Sequence, residues 1–180
     1  CTSSVFARPK DFLGRVRKIF SGVSESKEQI GMRDDMEEIS LYREGIVYLL
    51  DWYDLNQRIL PWRQNPKPYY VWISEIMLQQ TRVEAVKRYF ERFLAELPDV
   101  RDLAEVSEDV LFKLWEGLGY YTRARNLKKA AEIMVRDYGG RVPGDYKALL
   151  SLPGIGSYKA GDVASIGFGL AEPAVDGNVL

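Results

Sequence analysis

The sequence predicts an all-α fold, and three observations carry that prediction. Apolar residues recur at helical spacing from Asp35 onward. Pro and Gly interrupt those stretches at intervals that suit helices joined by short connections. No stretch alternates apolar and polar residues long enough to argue a sheet.

Each element follows in order. Met36, Ile39, Leu41, Ile46, Leu49 and Leu50 fall on one long helix, which Pro61 is expected to end. Asn65-Pro66-Lys67-Pro68 reads as a turn. One helix should run from Val71 to Gln80 and another from Val83 to Leu97, stopped by Pro98. Ser107-Glu108-Asp109 marks a helix start, a capping hydroxyl followed by acids in the first turn. That helix reaches Trp115 and ends near Gly117 and Gly119. Arg123 to Tyr138 is helical up to Gly139-Gly140, and shorter helices are expected over 145–150 and 157–168.

Residues 1–36 stand apart as an N-terminal arm rich in Ser, Gly and mixed charge. Phe12, Leu13, Val16, Ile19 and Phe20 have helical spacing among Arg8, Lys10, Arg15, Arg17 and Lys18. A basic amphipathic helix and a solvated, disordered arm are both open readings. Residues 37–180 form the expected globular domain. The chain begins at Cys1 rather than Met and stops at Leu180 with no helix visibly ended, so it reads as a fragment.

Composition restricts the chemistry. With 46% hydrophobic residues, the 180-residue chain can fill a core. Its 25 basic and 26 acidic residues nearly cancel, so any nucleic-acid contact must be local. Cys1 is the only cysteine and there is no His, so no internal disulfide or Cys/His metal site can be built from this chain. General acid–base work falls to carboxylates, Lys or Tyr. No apolar run approaches the ~20 residues needed to span a bilayer, and the N-terminus lacks a secretory h-region.

Leu152-Pro153-Gly154-Ile155-Gly156 lies between two short helices. Pro153 closes the first, and the glycines permit turns that a Cβ would obstruct and let the chain approach a partner closely. The following helix, starting at Ser157-Tyr158-Lys159-Ala160, presents unpaired N–H groups that suit a phosphate, and Ala160 is small where the helices cross. This is a helix-hairpin-helix pattern. Glu75 lies in an apolar helix, where its pKa should rise and suit a general acid, although a surface Glu fits the same spacing. Gln79 and Gln80 close that helix and can reach base edges or remain solvated. Asp176 follows the hairpin by about twenty residues, in a segment that is either a turn or a carboxylate placed beside a sugar. Tyr120 and Tyr121 precede Arg123, Arg125, Lys128 and Lys129, which suits base stacking with phosphate contact or a core edge beside a solvated face.

Taken in order, five motifs resemble the MutY-type adenine DNA glycosylases of the helix-hairpin-helix superfamily, over about residues 45–180. They are Leu60-Pro61-Trp62-Arg63, Ser74 to Arg82, Gly117 to Tyr121, the hairpin, and Val175-Asp176-Gly177-Asn178-Val179. The resemblance implies a six-helix barrel lobe with an incomplete iron–sulfur lobe. It implies excision of adenine mispaired with 8-oxoguanine in double-stranded DNA, with the base flipped into a pocket. Glu75 matches the acid that protonates the purine, Asp176 the carboxylate that stabilises the sugar cation, and Tyr158 and Asn178 supporting residues. Arg58, Trp62 and Arg63 match the adenine pocket, and Gln80 and Tyr120 match side chains that wedge into the duplex. Related glycosylase-lyases carry a Lys nucleophile where this chain has Tyr158, which implies a monofunctional hydrolase. Lys159 stands where the family usually has Thr and reads as a phosphate contact or a solvated residue. The family's 4Fe-4S cluster would take its four Cys ligands beyond Leu180. A monomer acting inside the cell is expected, in a bacterial cytoplasm or a eukaryotic nucleus or mitochondrion. Another glycosylase of the superfamily and a non-catalytic DNA-binding fragment are the alternatives.

Overall fold

One apolar helix organises the larger part of the molecule. The computed structural model describes the backbone over residues 34–174 and the side chains over 45–174. Among the described residues there are nine α-helices, one π turn and no strand. The chain divides into two compact units, Cys1–Ile59 and Leu60–Leu180. The first contains α1 (Asp34–Asn56), which exposes Tyr48, Leu49, Trp52 and Leu55.

Two prolines start helices where the sequence suggested a stop and a turn. α1 ends at Asn56, whose side-chain amide donates to the Trp52 carbonyl at 2.8 Å. Pro61 then opens α2 (Pro61–Gln64), and Pro68 opens α3 (Pro68–Leu78). At a first helical position the missing N–H has no intrahelical partner to lose, and the fixed φ suits the helix.

α3 is the organiser. Tyr69, Val71, Trp72, Ile73, Ser74, Ile76 and Met77 are all buried, so apolar surface runs almost around it, as a central helix requires. α2, α4 (Val83–Glu96), α7 (Thr122–Asp137), α9 (Ser157–Asp162) and the π turn (Val163–Gly167) all pack on it. Trp72, Trp115, Phe93, Leu127 and Met134 fill the core behind it.

α5 (Val100–Glu105) was not expected from periodicity, because six residues are too few to show one. Its signal is a capping box: Asp99 accepts from the Arg101 and Asp102 amides, and Asp102 accepts from the Asp99 amide. α6 (Glu108–Trp115) starts at Ser107 as expected, and α8 (Tyr146–Leu150) starts at Asp145, which accepts from the Ala148 amide at 2.8 Å. α9 continues directly into the π turn, so the expected 157–168 helix is present but widened at Val163. A Cβ on Gly167 would lie 3.0 Å from the Pro68 Cα, so the start of α3 sits tightly against this turn. No helix among the described residues is long and apolar enough to cross a membrane.

Candidate functional site

α2, α3, α7, α9 and the connection before α7 line a cavity of about 760 Å³. It is lined in part by Arg63, Glu75, Gln79, Gln80, Tyr120, Tyr158 and Lys159. Seven residues that the sequence marked separately therefore share one space. Trp62 is not among them: it is 4% exposed and packs edge-on against Phe90, with ring centroids 5.2 Å apart. Arg58 belongs to the Cys1–Ile59 unit. Asp176 and Asn178 lie outside the described residues.

Glu75 is the only charged residue of α3, and its surroundings set its acidity. Burial pushes its pKa from 4.5 up to about 8, and the Asp162 carboxyl adds to the rise. Arg63 and Lys159 pull the other way. At neutral pH Glu75 therefore holds its proton, the state a general acid needs. Burial lowers the Lys159 pKa, and Glu75 opposes that. Lys159 is half-buried and lines the cavity beside Tyr158. Asp162, 7% exposed at the end of α9, escaped the sequence reading because nothing in the chain pattern ties it to Glu75.

Arg123 holds the cavity's rim. It is 9% exposed and donates to five carbonyls. Nη1 reaches Ile76 at 2.9 Å, Met77 at 3.1 Å and Gln79 at 2.6 Å. Nη2 reaches Leu118 at 2.8 Å and Gly119 at 3.2 Å. One guanidinium thus caps the C-terminus of α3 and ties it to the 118–119 loop. On either side of this clamp stand the two non-Gly residues with positive φ among the described residues, Gln80 at 56° and Tyr120 at 49°. Such strain persists only where neighbours impose it, and it clusters at functional sites. Tyr120 is 70% exposed.

The phosphate-contact reading of the basic series after Tyr121 is accordingly reduced. Arg123 serves backbone carbonyls. Lys128 donates to the Ala104 carbonyl at 2.6 Å and pairs with Glu132 at 3.3 Å, and the Arg125 guanidinium lies over the Phe112 ring.

The hairpin has the expected division of labour. Leu152 and Ile155 are buried anchors, and Ala160 is fully buried where α9 meets α8. Gly154, Gly156 and Ser157 are exposed. The two glycines differ, however. Gly154 has φ +78°, and a Cβ there would sit 3.0 Å from the Asn126 Cβ. Gly156 has φ −92°, and a Cβ there would meet nothing. Neither the backbone conformation of Gly156 nor its surroundings require a glycine. Gly161 lies against the Pro173 carbonyl, leaving no room for a Cβ, so the chain leading toward Asp176 is held on α9.

These features define a helix-hairpin-helix protein with an acid-bearing cavity beside the hairpin. The sequence profile of the HhH-GPD superfamily of base excision DNA repair proteins matches residues 73–180, and the chain belongs to that superfamily. Among curated relatives, it is 42% identical over 155 residues to the adenine DNA glycosylase of Rattus norvegicus, covering 81% of this chain and 30% of the relative. The Homo sapiens adenine DNA glycosylase is 42% identical over 154 residues, covering 81% and 28%. That of Buchnera aphidicola subsp. Baizongia pistaciae is 43% identical over 132 residues, covering 73% and 38%. The chain spans 28–38% of the length of these relatives. Among solved structures, a thermostable thymine-DNA glycosylase superposes with a TM-score of 0.71 at 32% identity, covering 76% of this chain and 63% of the other. A non-covalent endonuclease III–DNA complex superposes with a TM-score of 0.64 at 27% identity, covering 76% and 64%.

The residues of this chain do not fit a four-thiolate iron–sulfur cluster. Cys1 is the only cysteine, and no group of three or more His, Cys, Asp or Glu among the described residues is placed to hold a metal.

Proposed function

We propose that residues 37–180 carry the glycosylase chemistry of a monofunctional adenine DNA glycosylase, which removes adenine paired with 8-oxoguanine from duplex DNA. The observation that carries this reading is Glu75, protonated at neutral pH in a cavity beside the hairpin, in a chain 42% identical to adenine DNA glycosylases.

The hairpin's exposed amides at Gly156 and Ser157 hold a backbone phosphate and fix the register. Gln80 and Tyr120, displayed on strained backbone at the cavity mouth, enter the stack as the adenine swings out. Arg63 and Gln79 contact the flipped base. Glu75 transfers its proton to an adenine ring nitrogen, and the electron pair of the glycosidic bond leaves with the base. Asp176 stabilises the sugar cation, with Tyr158 and Asn178 completing its surroundings. Glu75, now a carboxylate, takes a proton from the water that adds to the sugar carbon. Adenine and an abasic site result. Tyr158, where related lyases carry Lys, is consistent with hydrolysis.

The test is single-turnover release of adenine from a duplex with one adenine:8-oxoguanine pair, using the intact protein. Glu75→Gln should slow release by about 10²–10⁴-fold while retaining duplex binding. Release at the wild-type rate would refute the mechanism, and release of thymine instead would move the protein to another branch of the superfamily.

A further inference from the structure

We infer that Thr122, Asn126 and Lys129 form a polar row on α7 that tracks the sugar–phosphate backbone of the strand gripped by the hairpin, leading it away from the cavity mouth. This rests on the function proposed above only so far as the hairpin and the cavity serve one DNA strand.

The three residues stand at i, i+4 and i+7 of α7, so their side chains share one face. A different face, with Ala124, Leu127, Ala131 and Met134, enters the core. Two members of the row are fixed to features of the site. Thr122 lines the cavity beside Tyr120 and Arg123. Asn126 is half-buried against the hairpin, where a Cβ on Gly154 would lie 3.0 Å from its Cβ and 3.3 Å from its amide nitrogen. Lys129 follows, exposed, about one turn further on. Among the described residues, none of the three side chains has a hydrogen bond or an ion pair. That sets Lys129 apart from the other four cations of α7. Arg123 is held by carbonyls, Arg125 lies over the Phe112 ring, Lys128 meets the Ala104 carbonyl and Glu132, and Arg136 pairs with Asp137. An isolated polar face would simply be solvated. This one opens on the cavity at its first residue and is seated against the hairpin loop at its second. A hydroxyl, an amide N–H and an ammonium are donors that phosphate and sugar oxygens accept from, and such contacts position a strand whatever its sequence. The row rises about 10 Å along the helix axis, which matches about three nucleotides of one strand at about 3.4 Å each. Thr122 and Asn126 are neutral, so Lys129 supplies the row's charge.

The test is fluorescence anisotropy on the intact protein, with a duplex holding a stable abasic-site analogue opposite 8-oxoguanine, so that no bond breaks during the titration. Wild type is compared with Asn126→Ala, Lys129→Gln and Lys87→Gln, the last a lysine of α4 paired with Glu84 at 2.9 Å. Lys129→Gln should weaken binding several-fold and flatten the slope of log K against log salt concentration by about 0.9. Asn126→Ala should weaken binding several-fold with the slope unchanged, because no charge is lost. Lys87→Gln should change neither. A second series replaces single phosphates of the abasic strand by uncharged methylphosphonates. One replacement within about three nucleotides of the lesion should cost wild type several-fold in affinity and cost Lys129→Gln nothing further. Unchanged affinity in Asn126→Ala, an unchanged slope in Lys129→Gln, or a slope change matched by Lys87→Gln would overturn the inference, as would coupling confined to the opposite strand. Should Asn126→Ala not fold, the coupling between Lys129 and a single phosphate decides. That coupling together with no adenine release from an adenine:8-oxoguanine duplex would sink the proposed function and leave the row in place.

Discussion

At the scale of single residues, Glu75 links catalysis to a stability cost. The folded chain holds its proton up to about pH 8, whereas the unfolded chain releases it near 4.5. Between those values the folded state binds more protons than the unfolded state, so stability falls as pH rises across that window. Below pH 4.5 both states are protonated and the penalty vanishes. Glu75→Gln removes the titration, and the variant should gain on the order of 4 kcal/mol over wild type at pH 8 but almost nothing at pH 4.5. Urea unfolding midpoints at the two pH values measure this, and an equal gain at both would show that the effect is not Glu75 ionisation. The apolar run around Glu75 made the acid readable from the chain alone. Asp162 was not readable, because its meaning comes from a helix 87 positions later in the chain packing against α3. Nor did the pattern separate Trp62 from Arg63: adjacent residues on a four-residue helix point one ring into the core and one charge into the cavity.

Elements carry the positioning. The carbonyls at the end of α3 and those of the 118–119 loop meet on one guanidinium, and the strained residues Gln80 and Tyr120 flank it. A Lys at 123 keeps the charge but has three donors on one nitrogen and cannot span both carbonyl sets. Arg123→Lys should cost about 2–4 kcal/mol and slow base release further by freeing the rim. Chemical denaturation and single-turnover rates check both effects. The hairpin permits a sharper separation. Gly154→Ala forces a Cβ onto positive φ and against Asn126, so it should destabilise by about 1–2 kcal/mol. Gly156→Ala has room and an ordinary φ, so stability should hold within about 0.5 kcal/mol while duplex affinity falls several-fold. Melting and fluorescence anisotropy on the same pair test this, and a Gly156→Ala variant with unchanged affinity would remove Gly156 from the DNA surface. The sequence marked both glycines for turns and for close approach to a partner; only the three-dimensional surroundings distinguish the one whose φ the loop requires from the one with open space beside it.

Across the whole molecule, periodicity made the helices legible where they were long, and failed where they were short. α5 has too few residues for a stripe, and the starts of α2 and α3 were obscured because proline is both a helix breaker and a favoured first residue. Charge was legible as a total but not as a distribution, and this matters for DNA. The 25 basic and 26 acidic residues give a net charge of −1, so no broad positive field draws the duplex in. Several cations that could have met phosphates are committed within the protein: Arg123 and Arg92 to carbonyls, and Lys128 to Ala104 and Glu132. The hairpin contributes neutral N–H donors, which release fewer counterions than ammonium or guanidinium groups would. Binding should therefore weaken only gently with salt. Neutralising about three phosphates predicts a slope near −3 in log K against log salt concentration for B-form DNA. Anisotropy titrations between about 50 and 200 mM salt measure it directly. A slope of about −6 or steeper would mean that cations outside the hairpin face grip the backbone. In that case the five basic residues among the first twenty, Arg8 to Lys18, would be the first to replace, and their removal should flatten the slope while leaving the single-turnover rate on saturating duplex intact.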